Sequence, residues 1–242
     1  MRFRLVTYNI HKGIGGTDRR YRLERIVEAL RHCEPDVVFL QEVDDGVPRS
    51  HHDCQVKMLA EAVGLKHFAY QRNVRLKKGH YGNAILSRFP LSNISNVDLT
   101  LRFKKRRRAL LAHCRISSGR HRRTMSVINV HLGLAGLERQ LQLRKLLSHH
   151  SYKELAGRSP VVIGGDYNDV WGNLGKRTFG AAGFKSVGKK VLTFPAVLPI
   201  RPLDRIYYRD LKLTHHAFAS RTQNARRASD HLPLVADLEF LK

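Results

Sequence analysis

The sequence predicts two stacked β-sheets with helices on their outer faces, a layered α/β sandwich. Three observations lead there. Apolar runs of strand length recur from the first residues to the last, and only three stretches carry helical spacing. The middle of the chain is a succession of strand-like segments with little helix between them, which reads as antiparallel sheet. No fixed-period repeat or linker-like tract interrupts the 242 residues, so the reading is one domain spanning residues 1–242, and a 42% apolar fraction gives it a sizeable core.

The chain opens with Phe3, Leu5 and Val6 leading into Thr7-Tyr8-Asn9 and a glycine-rich stretch from Gly13 to Gly16, a buried strand ending in a loop. Leu23, Ile26, Val27 and Leu30 then repeat at helical spacing, with Asp18 as the expected cap and Pro35 closing the segment. Asp36 to Gln41 is a second strand that delivers Glu42 to its end, and a second helix is expected around Cys54 to Val63. Strands follow at His67 to Gln71, Asn83 to Ser87, Ile94 to Leu101, Ala109 to Ile116 and Thr124 to His131. Leu134, Leu137 and Leu141 share one face of a third helix, and Pro160 to Ile163 is another buried strand, ending at Gly164-Gly165-Asp166. Later strands are predicted at Leu203 to Tyr208, Lys212 to Phe218 and Pro233 to Phe240.

With 44 Lys and Arg against 20 Asp and Glu, the formal charge is +24. Such a surface attracts anions at long range, nucleic acid first and anionic lipid second. Cys33, Cys54 and Cys114 contain no CxxC pair, which argues against a disulfide framework or a thiolate zinc site and fits a reducing compartment. The amino terminus lacks the apolar stretch of a secretory signal, and no run approaches the roughly 18–20 apolar residues of a membrane span. The expectation is a cytoplasmic monomer without a transmembrane segment.

Polar residues of catalytic type recur at strand ends: Asn9, Glu42, His131, Asp166 with Asn168, Asp204, and Asp230 with His231. Singly, each has an ordinary reading as a turn or capping residue. Together they suggest that neighbouring strand ends converge in one cleft, where oxygen ligands suit a hard divalent cation such as Mg²⁺ or Mn²⁺ better than zinc.

In chain order, Thr7-Tyr8-Asn9, Gln41-Glu42-Val43, Gly82 to Ser87, Asn129-Val130-His131, Gly164 to Asn168, Leu203 to Ile206 and Ser229-Asp230-His231 resemble the endonuclease/exonuclease/phosphatase superfamily of divalent-metal-dependent phosphoesterases. The resemblance spans nearly the whole chain. It implies a four-layer αββα sandwich of two mainly antiparallel sheets packed face to face, with the site at one end. It further implies Glu42 as principal metal ligand with Asn9 and Asp230 beside it, His231 as catalytic histidine and Asp204 as its partner. His131 would assist the leaving oxygen as general acid, as in the DNase-like variant, and Asp166 and Asn168 would orient phosphate oxygens, nucleophile or leaving group.

Substrate choice is less constrained. The run Lys104 to Arg108 forms either a phosphate-tracking surface or a solvated hairpin. Arg108, Lys104, Lys105 and Tyr8 are the candidate phosphate-binding residues. Tyr8, Tyr167 and Trp171 could stack on a base or pack around the strand ends, and both readings stand. The doublets His51-His52, His149-His150 and His215-His216 lack metal-pair spacing and read as surface. The Gln-Glu-Val segment departs from the Gln-Glu-Thr of apurinic endonucleases, so abasic-site repair is not implied. Three functions remain in order: a nuclease cutting DNA or RNA, a phosphoesterase for phospholipid headgroups, inositol phosphates or another small phosphate ester, and a catalytically dead nucleic-acid binder.

Overall fold

The computed structural model describes residues 1–157, 159–172, 174–188 and 190–241. Its first half runs β1 (Arg2–Asn9), α1 (Leu23–Cys33), β2 (Val37–Asp45), α2 (Gln55–Val63), β3 (His67–Arg75), β4 (His80–Ser87) and β5 (Leu91–Asp98). Then come β6 (Arg108–Ser118), β7 (His121–His131), α3 (Gly136–Ser148), α4 (His150–Ala156), β8 (Val161–Asp166), α5 (Leu174–Gly180) and β9 (Lys185–Ser186). The chain finishes with β10 (Asp204–Arg209), β11 (Leu211–Leu213), β12 (Phe218–Ala219), α6 (Gln223–Ala228) and β13 (Leu234–Phe240).

One sheet has the order β11-β13-β1-β2-β4-β3, with β12 also on β13, and the other has β5-β6-β7-β8-β10-β9. Each is antiparallel except for one central parallel pair, β1 with β2 and β7 with β8. Both parallel pairs are joined through helices that cover the outer face, as a parallel crossover requires. Period-two alternation then sorts the side chains into layers. Phe3, Leu5, Val37, Phe39, Leu110, Val127, Val162 and Ile206 face the opposite sheet. Val6, Tyr8, Val38 and Leu40 face Ile26, Leu30 and Leu59 of the helices over the first sheet. Leu111, Ile128, Val130 and Ile163 face Leu143, Leu146 and Phe179 over the second. Three apolar layers between four structural layers make an αββα sandwich.

Some local expectations shift. Asp18 does not cap α1; Arg22 holds that position, and the Asp18 carboxylate accepts from the Arg20 amide at 3.1 Å and pairs with Arg25 at 2.7 Å. Leu134 falls in the loop before α3, and Leu137 and Leu141 lie on the outer face of that helix, with Leu134 and Leu137 75% and 69% exposed. Gln142 Oε1 accepts the Gly133 amide at 2.8 Å and Gln142 Nε2 donates to Glu138 at 3.1 Å. These polar residues clamp the loop after β7 and turn Leu143 and Leu146 inward instead. The strand expected over Ile94 to Leu101 ends at Asp98, and Lys212 to Phe218 resolves into two short edge strands.

Candidate active site

Pairing direction explains why distant residues meet. The carboxyl ends of the parallel strands β1, β2, β7 and β8 share one end of the sandwich with the amino ends of their antiparallel neighbours β4, β6, β10 and β13. On that end the inward-facing alternation turns from apolar to polar. Leu5 is followed on its face by Thr7 and Asn9, Phe39 by Gln41, Val127 by Asn129 and His131, and Val162 by Gly164 and Asp166. A buried polar seam lies below the site. Asn129 Nδ2 donates to the Leu40 and Ala84 carbonyls, both at 2.8 Å, and its Oδ1 accepts from Gln41 Nε2 at 2.8 Å, stitching β7 to β2 and β4 across the sheets.

Asp166 is the hub above that seam. In register it sits opposite His131 on β7 and Asp204 on β10. Its Oδ2 accepts from Asn9 Nδ2 at 3.0 Å and lies 3.5 Å from His131 Nε2 and 3.8 Å from His231 Nε2. Its Oδ1 accepts the Asn168 amide at 2.8 Å, while the Asn168 side chain donates to the Leu132 carbonyl at 3.0 Å and ties two loops together. Gly165, at φ +144°, brings the chain so close to β7 that a Cβ would lie 1.9 Å from the Val130 carbonyl oxygen.

His231 Nδ1 donates to Asp204 Oδ2 at 2.8 Å, with both groups buried. Burial opposes its protonation, but Asp204 and Asp166 outweigh it and push the imidazolium pKa up to about 10. His131 goes the other way: burial, reinforced by Arg107, drives its pKa well below the usual histidine value and keeps the ring neutral. Burial raises the Asp166 pKa, with Asp204 adding to the push and His231 opposing it.

Glu42 occupies a bulge in β2 where pairing with β4 slips between Leu40 and Val43, and its φ is +60°, a left-handed conformation costly outside glycine. That conformation turns Glu42 towards Lys12, whose Nζ contacts its carboxylate. Although burial opposes it, the Lys12 ammonium and the Tyr81 hydroxyl hold Glu42 ionised far below the usual carboxylate range. Lys12 is itself at φ +63°, its carbonyl fixed by Gln55 Nε2 at 2.7 Å. Asp230, one third exposed, lies 4.0 Å from His11 and accepts from the Ser229 hydroxyl at 3.4 Å. Gly16 lets the glycine-rich loop pass directly over the Asp230 backbone.

Glu42, Asn9, His131, Asp166, Asn168, Asp204, Asp230 and His231 therefore gather at one end. Lys105 also reaches the cleft, feeling the charges of Glu42 and Lys12, whereas Lys104 is exposed on the loop before β6. Tyr8 does not serve as a phosphate ligand: its ring is fully buried in the core under α1, facing away from the inter-sheet side that carries Asn9. Arg108 donates to the Arg72 carbonyl at 3.3 Å, while its neighbour Arg107 acts on His131 and Tyr81. Tyr167 packs in the outer core and Trp171 is 73% exposed. Lys12, Arg49 and Tyr81 were not singled out from sequence, and Arg107 entered only as part of the Lys104 to Arg108 run. The signal available for Tyr81 was its alternation with Asn83 and Ile85.

The donor chemistry fits a hard cation. Among the described residues no three His, Cys, Asp or Glu cluster as an all-protein cage. One firmly ionised carboxylate at a water-accessible cleft is instead the arrangement that suits Mg²⁺, which keeps waters and substrate oxygens in its shell.

The model for the endonuclease/exonuclease/phosphatase family matches residues 6–231. The chain belongs to that family. Its members are hydrolytic phosphoesterases, generally dependent on a divalent metal ion. The uncharacterised Escherichia coli protein YbhP is 33% identical, with 98% of this chain and 96% of that protein covered. Among solved structures, a family protein from Beutenbergia cavernae superposes with a TM-score of 0.78 at 23% identity, covering 99% of this chain and 72% of that one. ANGEL2, a 2′,3′-cyclic phosphatase solved with adenosine-2′,3′-vanadate, gives 0.73 at 18% identity over 99% of this chain and 96% of its own. These structural likenesses establish the fold. No helix among the described residues is long and apolar enough to cross a membrane.

Proposed function

We propose that the protein is an Mg²⁺- or Mn²⁺-dependent phosphodiester hydrolase that cleaves DNA or RNA by in-line attack of water. The observation that carries the reading is the Asp204 to His231 hydrogen bond of 2.8 Å inside a cleft that also holds an ionised Glu42. With Nδ1–H committed to Asp204, His231 presents Nε2 to the cleft, so a neutral ring offers its lone pair there and an imidazolium its proton. Glu42, with Asn9 and Asp230 at the same end of the sandwich, would hold a divalent cation, which would supply Lewis-acid polarisation of a phosphate oxygen. The ring then takes the proton of the attacking water and Asp204 supports the resulting imidazolium. An acid–base group placed this way contributes on the order of 10²–10⁴ in rate.

His131, kept neutral, serves as a hydrogen-bond donor to the leaving oxygen. Asp166, anchored by Asn9 and the Asn168 amide, fixes the separation of the two imidazoles. The net charge of +24 and the run Lys104 to Arg108 at the amino end of β6 support a polyanionic substrate, whose backbone Arg108, Lys104 and Lys105 would track. ANGEL2 shows that this fold accommodates an adenosine-based phosphate mimic.

One observation favours the second reading, a phospholipid or small phosphate ester as substrate. Val197, Leu198 and Ile200 are 47%, 70% and 61% exposed on a loop whose base, Phe194, lies 5.0 Å from the His231 ring, an apolar rim suited to an anionic bilayer. Plasmid, single-stranded DNA, RNA, phosphoinositide vesicles and a phosphomonoester, each with Mg²⁺, Mn²⁺ or chelator, decide between them. Metal-dependent cleavage of nucleic acid that His231→Ala nearly abolishes supports the first reading. Turnover confined to vesicles or small esters replaces it with the second, and binding without turnover overturns both.

A further inference from the structure

The cleft is chemically lopsided. Imidazoles and carboxylates crowd the side built by β8, β10 and the segment before β13, while the side built by β4 and the segment before β6 is cationic. Its centre is the Tyr81 ring. Lys12 Nζ lies 5.7 Å from the ring centroid, the Arg49 guanidinium 5.7 Å and Lys105 Nζ 5.9 Å, placing three cations from three separate loops around one aromatic ring. Arg107, 6% exposed, stands next to them and acts on Tyr81, Lys105 and His131.

Counterions are unevenly distributed over this cage. Lys12 is matched by Glu42, and Arg49 is matched by Asp44 through two hydrogen bonds of 2.7 Å. Lys105 and Arg107 have no carboxylate partner among the described residues, and Arg107 Nε is buried without a hydrogen-bond acceptor. A buried guanidinium nitrogen without an acceptor costs free energy, and an anion seated against the rest of the group offsets part of that cost. Two unmatched cations on a loop and strand end, beside an aromatic ring held by burial, equal the charge of a phosphate monoester, which is about −1.5 to −2 at neutral pH.

We propose that Lys12, Arg49, Lys105 and Arg107 around Tyr81 form a second anion subsite, taking a phosphate group of the substrate other than the one being cleaved. The subsite deepens the phosphoesterase reading and rests on it for the identity of the neighbouring reaction. It selects substrates that carry a further phosphate on the Glu42 side of the scissile bond, and it disfavours headgroups that place a quaternary ammonium there. That further phosphate has two sources, a nucleotide chain or a phosphorylated glycerol headgroup.

Calorimetric titration of the full-length protein in chelator separates subsite from turnover. The probes are thymidine 5′-monophosphate against thymidine 3′,5′-bisphosphate, and glycerol 3-phosphate against glycerol bisphosphate. The bisphosphate of at least one pair is expected to bind about tenfold more tightly, as one charge-assisted contact of ordinary strength predicts. Lys105→Met, at an exposed position, and Arg107→Gln are expected to reduce that preference towards unity. Preference in the thymidine pair assigns the nucleotide source, and preference in the glycerol pair the headgroup source. Equal affinity within both pairs, or a preference that survives both substitutions, overturns the subsite. Preference without any hydrolysis in the substrate panel leaves the subsite standing and removes the nuclease reading instead.

Discussion

His231 Nδ1 and Asp204 Oδ2 are 2.8 Å apart and buried, and the ring holds its proton up to a pH of about 10. A histidine with a raised folded-state pKa contributes stability that is complete below its unfolded value, about 6.5, and is lost as pH rises through the folded value. The stability difference between wild type and His231→Gln, measured by denaturant unfolding in chelator, is therefore expected to be largest at pH 6 and to shrink steadily towards pH 10.5. A difference that grows with pH contradicts the assigned protonation.

His131 carries the opposite signature. Its folded-state pKa is depressed, so below about pH 6.5 the unfolded chain binds a proton that the folded one rejects, and stability falls as pH falls. Replacing it by Asn removes this penalty. The stability of His131→Asn relative to wild type is expected to improve between pH 7 and pH 5, in contrast with the fading effect at His231, while turnover drops by at least about tenfold.

Glu42 sits at φ +60° because the bulge in β2 turns it out of the strand, and its pairing with Lys12 holds the carboxylate ionised. Both replacements that delete the side chain lose the proposed metal ligand, but they differ in strain. Glu42→Gly is expected to unfold at higher urea than Glu42→Ala by about 1 kcal/mol, since only glycine adopts this region without a steric penalty. Glu42→Gln should retain the fold yet lose the rise in melting temperature that Mg²⁺ or Mn²⁺ gives the wild type. Undiminished stabilisation by metal would move the ligand elsewhere.

Much of this was legible in the sequence, and the exceptions share a cause. Asn9 and Asp166 are visible as apolar runs that stop at a polar residue, because β-alternation is local, whereas β2 runs on past Glu42 through a bulge to Asp45 and Asp204 opens β10. The outward turn of Leu134 and Leu137 was not legible, since it depends on Gln142 and Glu138 clamping a loop from another element. Tyr8 reads from sequence as a cleft residue because it adjoins Asn9. In a strand, adjacency means the opposite face, and the ring enters the core under α1. The cage around Tyr81 escaped because its cations come from three loops whose proximity only the sheet order creates.

Asn129 carries the last expectation. Its amide hydrogens go to the Leu40 and Ala84 carbonyls and its oxygen takes Gln41 Nε2, so one side chain satisfies three buried groups on the opposing sheet. Asn129→Leu keeps the volume but removes the donors to two buried carbonyl oxygens, while Gln41 Nε2 keeps Thr7 Oγ1 at 3.1 Å and the Phe39 carbonyl at 3.2 Å. At about 1–3 kcal/mol for each unsatisfied group, partly relieved by relaxation, the loss should reach about 2 kcal/mol and shows as a lower urea midpoint. Asn129→Asp is more informative, because it preserves the acceptor for Gln41 while removing both donors. If the seam sets the spacing between sheets, this variant should lose turnover as well as stability, since Asn9 on one sheet and His131 and Asp166 on the other are held at contact distance directly above it. Full activity in a destabilised Asn129→Asp protein would show that the site keeps its own geometry without the seam.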